Sequence, residues 1–141
     1  MYFDTSYIAK FYFNESDSLR VRQLVRKADA ICSSFLAFTE FHAVLQRRVR
    51  ESSAAHADAR ALALRFSEHL NNGLWTLIPV NDGVLRRTSS LIVSAPRALF
   101  IRTADAVHIT CAREAGEREV WTNDRHMLAA AAYFGLSGRS V

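Results

Sequence analysis

Four of the fourteen carboxylates in this 141-residue sequence stand apart from the others. Asp4 follows directly on the apolar pair Tyr2-Phe3, and Asp124 follows Val120-Trp121-Thr122. Asp105 precedes His108, Ile109 and Ala112 at helical spacing. Glu40 lies inside an apolar stretch, with Leu36, Ala37, Ala43 and Val44 three and four residues away. A carboxylate on an apolar face is costly unless it is paired, protonated or bound to a cation. The other ten occupy ordinary solvated positions. Glu15, Asp17 and Asp82 fall at predicted helix starts, and Glu114, Glu117 and Glu119 in one charge run. Glu51, Asp58 and Glu68 lie on helix exteriors or ends, and Asp29 precedes a strand.

If the four unusual acids meet, they repel one another and their pKa values rise. A divalent cation relieves both effects. An all-oxygen set without a thiolate or histidine cluster suits Mg²⁺ or Mn²⁺ rather than Zn²⁺. Such a centre activates water and neutralises phosphate charge, the chemistry of metal-assisted phosphodiester hydrolysis. Each acid also has a plainer reading. Asp4, Asp105 and Asp124 suit helix caps, and Glu40 suits an ion pair with Arg47 or Arg48.

The elements that would position these acids can be read from periodicity. Tyr2 to Asp4, Ala30 to Ser34, Trp75 to Val80 and Glu119 to Thr122 read as strands, with a last short strand after Gly135-Leu136. Helices are predicted over Thr5–Phe13, from a cap at Ser16 or Asp17 through Val25, and over Phe35–Arg50 and Ala54–Leu70. Further helices run from Asn81 or Asp82 toward Ile92, from a Thr103 cap over Ala104–Ala115, and from Asp124 to Tyr133. Strands alternating with helices predict a single α/β domain over residues 1–141, a three-layer α/β/α sandwich with a mainly parallel sheet. All four acids then map to one end of the sheet, where ligands bind in such folds.

Composition narrows the function classes. Half of the residues are hydrophobic and 23% are charged, which excludes global disorder. Cys32 and Cys111 make neither a disulfide framework nor a zinc set, and a reduced, cytoplasmic protein is expected. No apolar run reaches the ~18 residues of a membrane span, and the start lacks the basic and apolar regions of a signal peptide. The net charge is +4, and sixteen of the eighteen basic residues are arginine. Arginine forks phosphate and carboxylate oxygens bidentately, so nucleic acid or an acidic partner fits.

Four segments resemble the PIN-domain ribonucleases of the VapC toxin type, from Tyr2 nearly to Leu136. Phe3-Asp4-Thr5-Ser6 is similar to the family's apolar-Asp-(Thr/Ser)-Ser opening, and Thr39-Glu40-Phe41 places a glutamate in the helix after the second strand. Arg102 to Ile109 resembles its Asp-Ala-apolar-His segment, and Trp121 to Met127 its Thr-x-Asp segment. The resemblance implies an Mg²⁺- or Mn²⁺-dependent endoribonuclease, usually homodimeric and silenced by a small cognate antitoxin of the VapB kind. It assigns Asp4, Glu40, Asp105 and Asp124 to catalysis and metal binding, with Ser6 and Thr122 as hydroxyl neighbours.

Residues beside these motifs have further expected roles. Arg102, Arg125 and His126 are candidates for RNA contact, and His108 for a packed position behind the acids. Phe11, Tyr12 and the early face of the Phe35–Arg50 helix are candidates for an antitoxin groove. The main alternative is a catalytically silent PIN-like module that binds RNA or protein, which the intact acid set disfavours. A receiver domain lacks its late lysine here, since the last is Lys27. A haloacid-dehalogenase-like phosphatase needs Asp-x-Asp where Asp4-Thr5-Ser6 stands.

Overall fold

The computed structural model describes residues 1–141. Five short strands, β1 (Tyr2–Phe3), β2 (Cys32–Ser34), β3 (Thr76–Ile78), β4 (Glu119–Trp121) and β5 (Ser137–Arg139), form one sheet in the order β3-β2-β1-β4-β5. Every pairing is parallel, with Tyr2 opposite both Cys32 and Val120. The helices are α1 (Thr5–Tyr12), α2 (Ser18–Lys27), α3 (Leu36–Arg50), α4 (His56–Asn71), α5 (Asp82–Ser94), α6 (Thr103–Glu114) and α7 (Arg125–Tyr133).

Period-two alternation in β1 divides the core. Phe3 points into an apolar cluster with Tyr7, Ile8, Val21, Phe41 and Phe66 of α1 to α4 and Trp75 just ahead of β3. Tyr2 points to the opposite face, among Val84, Val107, Ile109, Met127, Ala130 and Phe134 of α5 to α7. The expected three layers follow, with a sheet that is parallel throughout. No helix is long and apolar enough to cross a membrane.

Two features bear directly on the acids. The strand order switches direction between β1 and β4, so the chain leaves these neighbours toward opposite faces and opens a crevice beyond their carboxyl ends. In addition, α6 is buried all round from Asp105 to Ala112, not merely along one face as its spacing suggested. A helix wedged under the sheet this way carries Asp105 and His108 into the interior.

Element ends differ from the sequence reading in a few places. Thr103 is the first residue of α6, with Arg102 in the capping position and no side-chain cap. Asp17 precedes α2 without capping it, because its carboxylate accepts from Lys10 (2.8 Å) and Asn123 (3.1 Å) instead. Several acids expected to be solvated are paired. Glu117 holds the Met1 amine at 2.7 Å, Glu15 pairs with Arg48, and Glu114 with Arg87. Phe11 and Tyr12 are half-buried, and the Tyr12 hydroxyl is engaged by Trp75 Nε1 (2.9 Å) and His69 (2.8 Å). Gly116 ends α6 at φ +72°, a conformation an L side chain rarely adopts.

Candidate active site

Asp4 stands at the switch between β1 and β4. Its backbone N–H still donates to Trp121 O across the strands (3.1 Å), while its side chain is buried at the strand end. Three donors fix the carboxylate. Tyr7 N–H (2.9 Å) and the Ser6 hydroxyl (2.7 Å) donate to Oδ1, and the Thr122 hydroxyl (2.6 Å) to Oδ2. Asp4 is therefore the N-cap of α1 and, through Thr122, a neighbour of Asp124 at once. Burial pushes its carboxyl above the ordinary aspartate range, against the pull of Thr122, Ser6 and Tyr7 N–H.

Thr122 joins two of the acids. While donating to Asp4 it accepts the Asp124 N–H at 3.0 Å. Asp124 in turn caps α7, its Oδ1 accepting from His126 N–H (2.8 Å) and Met127 N–H (3.1 Å), which leaves Oδ2 turned away from the helix. Burial raises its carboxyl, but the Met127 and His126 amides and Arg102 outweigh that and hold it below the usual range. As at Asp4, an N-cap carboxylate anchored by one oxygen leaves the other for a partner outside the helix, Thr122 in one case and Arg102 in the other.

Asp105 enters from the first turn of α6 and meets Asp124 through Arg102. The Arg102 Nε donates to Asp105 Oδ2 (2.8 Å). Its Nη2 reaches both Asp105 Oδ1 (3.2 Å) and Asp124 Oδ2 (2.6 Å). One guanidinium thus bridges two carboxylates from different elements. The plainer alternative for Glu40, an ion pair with Arg47 or Arg48, does not form.

Glu40 instead faces a buried polar network. The Thr5 hydroxyl donates to its Oε2, and His108 Nε2 lies 2.9 Å from the same oxygen. The other ring nitrogen, Nδ1, lies 2.8 Å from the Tyr2 hydroxyl and 3.4 Å from that of Ser34. Burial pushes the Tyr2 phenol well above its ordinary pKa, so it remains a donor. A Tyr2 O–H donated to Nδ1 leaves the imidazole proton on Nε2, aimed at Glu40. Burial also acts to raise the Glu40 carboxyl, but the hydrogen bond from His108, then that from Thr5 and the charge of Arg102, hold it below the ordinary range. Glu40 is accordingly an ionised, oriented carboxylate on the crevice wall.

Beside Glu40 and Arg102 opens a cavity of about 400 Å³ whose walls carry Lys10, Arg47 and Arg48. Glu15 also lines it, paired with Arg48, and Lys10 is paired with Asp17, so Arg47 is the cation there with no carboxylate partner. Arg125, the first residue of α7, is exposed. The His126 ring packs on Phe100, with centroids 4.7 Å apart.

The structure thus joins Asp4 to Asp124 through Thr122, and Asp124 to Asp105 through Arg102, with Glu40 on the adjoining wall. In this arrangement no three acids are grouped to share one metal ion. The donors nevertheless suit a hard divalent cation. They are all oxygen, and a cation, the Arg102 guanidinium, already joins two of them. Sequence reading missed the Arg102 bridge and the Tyr2–His108–Glu40 chain. Arg102 at three residues before Asp105 was the available signal for the first. Nothing local signals the second, whose members lie 106 and 68 residues apart.

Comparison with known proteins bears on this geometry. The profile of the PIN domain matches residues 1–133. The fold is similar to that of VapC20 from Mycobacterium tuberculosis, described as a sarcin-ricin loop cleaving toxin. The TM-score is 0.71 at 19% identity, covering 92% of this chain and 93% of that one. No curated protein matches the sequence.

Proposed function

The chain belongs to the PIN domain family, and from that premise we propose that it is an endoribonuclease toxin that hydrolyses RNA phosphodiester bonds with Mg²⁺ or Mn²⁺. The observation that carries this reading is the chain of contacts at the β1–β4 switch that joins Asp4 to Asp124 through Thr122 and Asp124 to Asp105 through Arg102. Glu40 lies on the wall beside a basic cavity.

Asp4, Asp105 and Asp124 would hold the cation, and Glu40 would complete the set or face the attacking water. When bound, the cation supplies Lewis-acid activation of water and charge neutralisation at the phosphate. The protein's own contribution is orientation. Ser6, Tyr7 N–H and Thr122 fix Asp4, and the first amides of α7 fix Asp124. Glu40, kept ionised by His108 and Thr5, accepts a proton at Oε1, the oxygen to which neither neighbour is bound. Arg47, with Lys10 and Arg48 beside it in their pairs with Asp17 and Glu15, faces flanking phosphates from the cavity wall.

A toxin of this kind requires a silencing partner. A small cognate antitoxin and a homodimeric assembly complete the reading, both resting on the family. The deciding experiment maps RNA ends after expression of the wild type and of Asp4→Asn. Cuts present only with the wild type are expected, and they should vanish from the purified enzyme in EDTA. Each of Glu40→Gln, Asp105→Asn and Asp124→Asn should reduce cleavage by two orders of magnitude or more, roughly the scale of losing one polar catalytic group. Asp58→Asn, on the exposed face of α4, is the control. RNA binding without cleavage by the wild type, with either metal, would favour a silent binding module instead.

A further inference from the structure

The cation that joins two of the acids is the protein's own. Arg102 occupies the capping position of α6, where it binds both oxygens of Asp105 and the outer oxygen of Asp124. Asp105 is three residues away and Asp124 twenty-two, so only one arm of this fork is dictated by the local chain. The guanidinium reaches in from the solvent side. Its side chain is 51% exposed, against 11% for that of Asp105. It can therefore withdraw by rotating its own side chain, with no change to the core.

We propose, building on the reading of these acids as cation ligands, that Arg102 is a built-in counter-ion that a divalent cation must displace from Asp105 and Asp124. The argument is one of exclusive occupancy. Without a cation the two carboxylates would repel each other, and the arginine fork removes that repulsion in the metal-free protein. A divalent ion needs the same oxygens and would be repelled by a guanidinium a few ångströms away. Metal affinity is then the direct affinity reduced by what it takes to detach Arg102. The freed guanidinium has a destination, because Arg102 already lines the basic cavity with Lys10, Arg47 and Arg48. Cation binding at the acids thus delivers a further unpaired guanidinium to the cavity, where Lys10 and Arg48 are held by Asp17 and Glu15. By reciprocity, phosphate held by Arg102 favours the cation.

The test is calorimetric titration of Mn²⁺ into the full chain as wild type, Arg102→Met, Arg102→Lys and Asp105→Asn. Thermal unfolding in EDTA is recorded alongside. Arg102→Met should bind Mn²⁺ about tenfold more tightly than the wild type, the scale of losing two partly exposed ion pairs, and should melt at a lower temperature in EDTA. Arg102→Lys, a point charge that cannot fork across both carboxylates, should show a smaller gain. It keeps the test decisive if the methionine variant fails to fold. Asp105→Asn should lose Mn²⁺ binding. Binding that is lost in Asp105→Asn yet unchanged or weakened in both arginine variants would overturn the counter-ion alone. Absence of saturable Mn²⁺ binding in every protein would overturn the reading of the acids, and the counter-ion with it.

Discussion

Asp4 and Thr122, 118 residues apart in the chain, share a hydrogen bond of 2.6 Å across the switch between β1 and β4. The Thr122 hydroxyl spends its proton on the carboxylate and a lone pair on the Asp124 amide. A single fully buried side chain therefore sets the relation between two acids carried by different strands.

Thr122→Val keeps the shape and removes the hydroxyl. The Asp124 N–H then loses its acceptor and Asp4 one of three donors, a loss of roughly 1–3 kcal/mol in stability for an unsatisfied buried group. RNA cleavage should fall by about 10- to 100-fold, the usual cost of losing a group that orients a metal ligand. Thr122→Ser should retain most of both. Initial rates and thermal unfolding of the two variants check this, and a valine variant with wild-type rates would refute it.

The His108–Glu40 contact predicts a pH effect with a definite sign. His108 holds the Glu40 carboxyl below its ordinary range, against the upward push of burial. In His108→Leu only Thr5 and Arg102 remain to oppose burial, so the Glu40 pKa rises. The acid limb of the pH–rate profile should move to higher pH, with Mn²⁺ affinity less affected than the rate. An acid limb that stays in place would show that Glu40 does not govern it.

Asp4 makes an opposite prediction for stability. Its carboxyl titrates above the unfolded value, chiefly because it is buried. The stability this lends is fully present below the unfolded pKa and is lost as pH rises through the folded one. Asp4→Asn removes the ionisable group. The metal-free variant should therefore be more stable than the wild type near pH 7, on the order of 1 kcal/mol. That difference should vanish on acidification toward pH 3. Denaturant unfolding in EDTA at the two pH values measures it, and a variant less stable at neutral pH would contradict the assignment.

Both cysteines should be inert in the folded protein. Burial pushes the Cys32 thiol to about 12, with Glu117 adding to the effect, and that of Cys111 to about 11. At pH 8 the thiolate fraction is then ~0.1% or less. Thiol titration with a disulfide reagent should give no rapid reaction before denaturant is added and two equivalents after it. Rapid native-state labelling of either residue would contradict its burial.

The alternation of strands and helices was open to sequence reading because each apolar run is short, punctuated and periodic. Phe38, Phe41 and Leu45 mark one face of α3, and Tyr2-Phe3 leads straight into an acid. Ends were harder to read. Thr103 and Asp17 are good capping types, yet α6 begins behind Arg102 and Asp17 is taken by Lys10 and Asn123. A cap competes with any long-range partner of the same side chain, and local sequence carries no information about that partner.

The same division runs through the site. Sequence by itself singled out four carboxylates, because Asp4, Glu40, Asp105 and Asp124 each lie next to residues that must be buried, on elements that must adjoin in a parallel sheet. It also determined Ser6 and Thr122 as neighbours, through motifs two residues from an acid. Only the tertiary structure decided how the acids are connected. Thr122 reaches Asp4 because β1 pairs with β4, and His108 reaches Glu40 because α6 is wedged beneath the sheet. Arg102 finds Asp124 because α6 and α7 start at the same crevice. The physical reason is that burial is a property of a residue and its near neighbours, legible as a pattern along the chain. A hydrogen bond between distant residues depends instead on where strand pairing and helix packing bring two ends together.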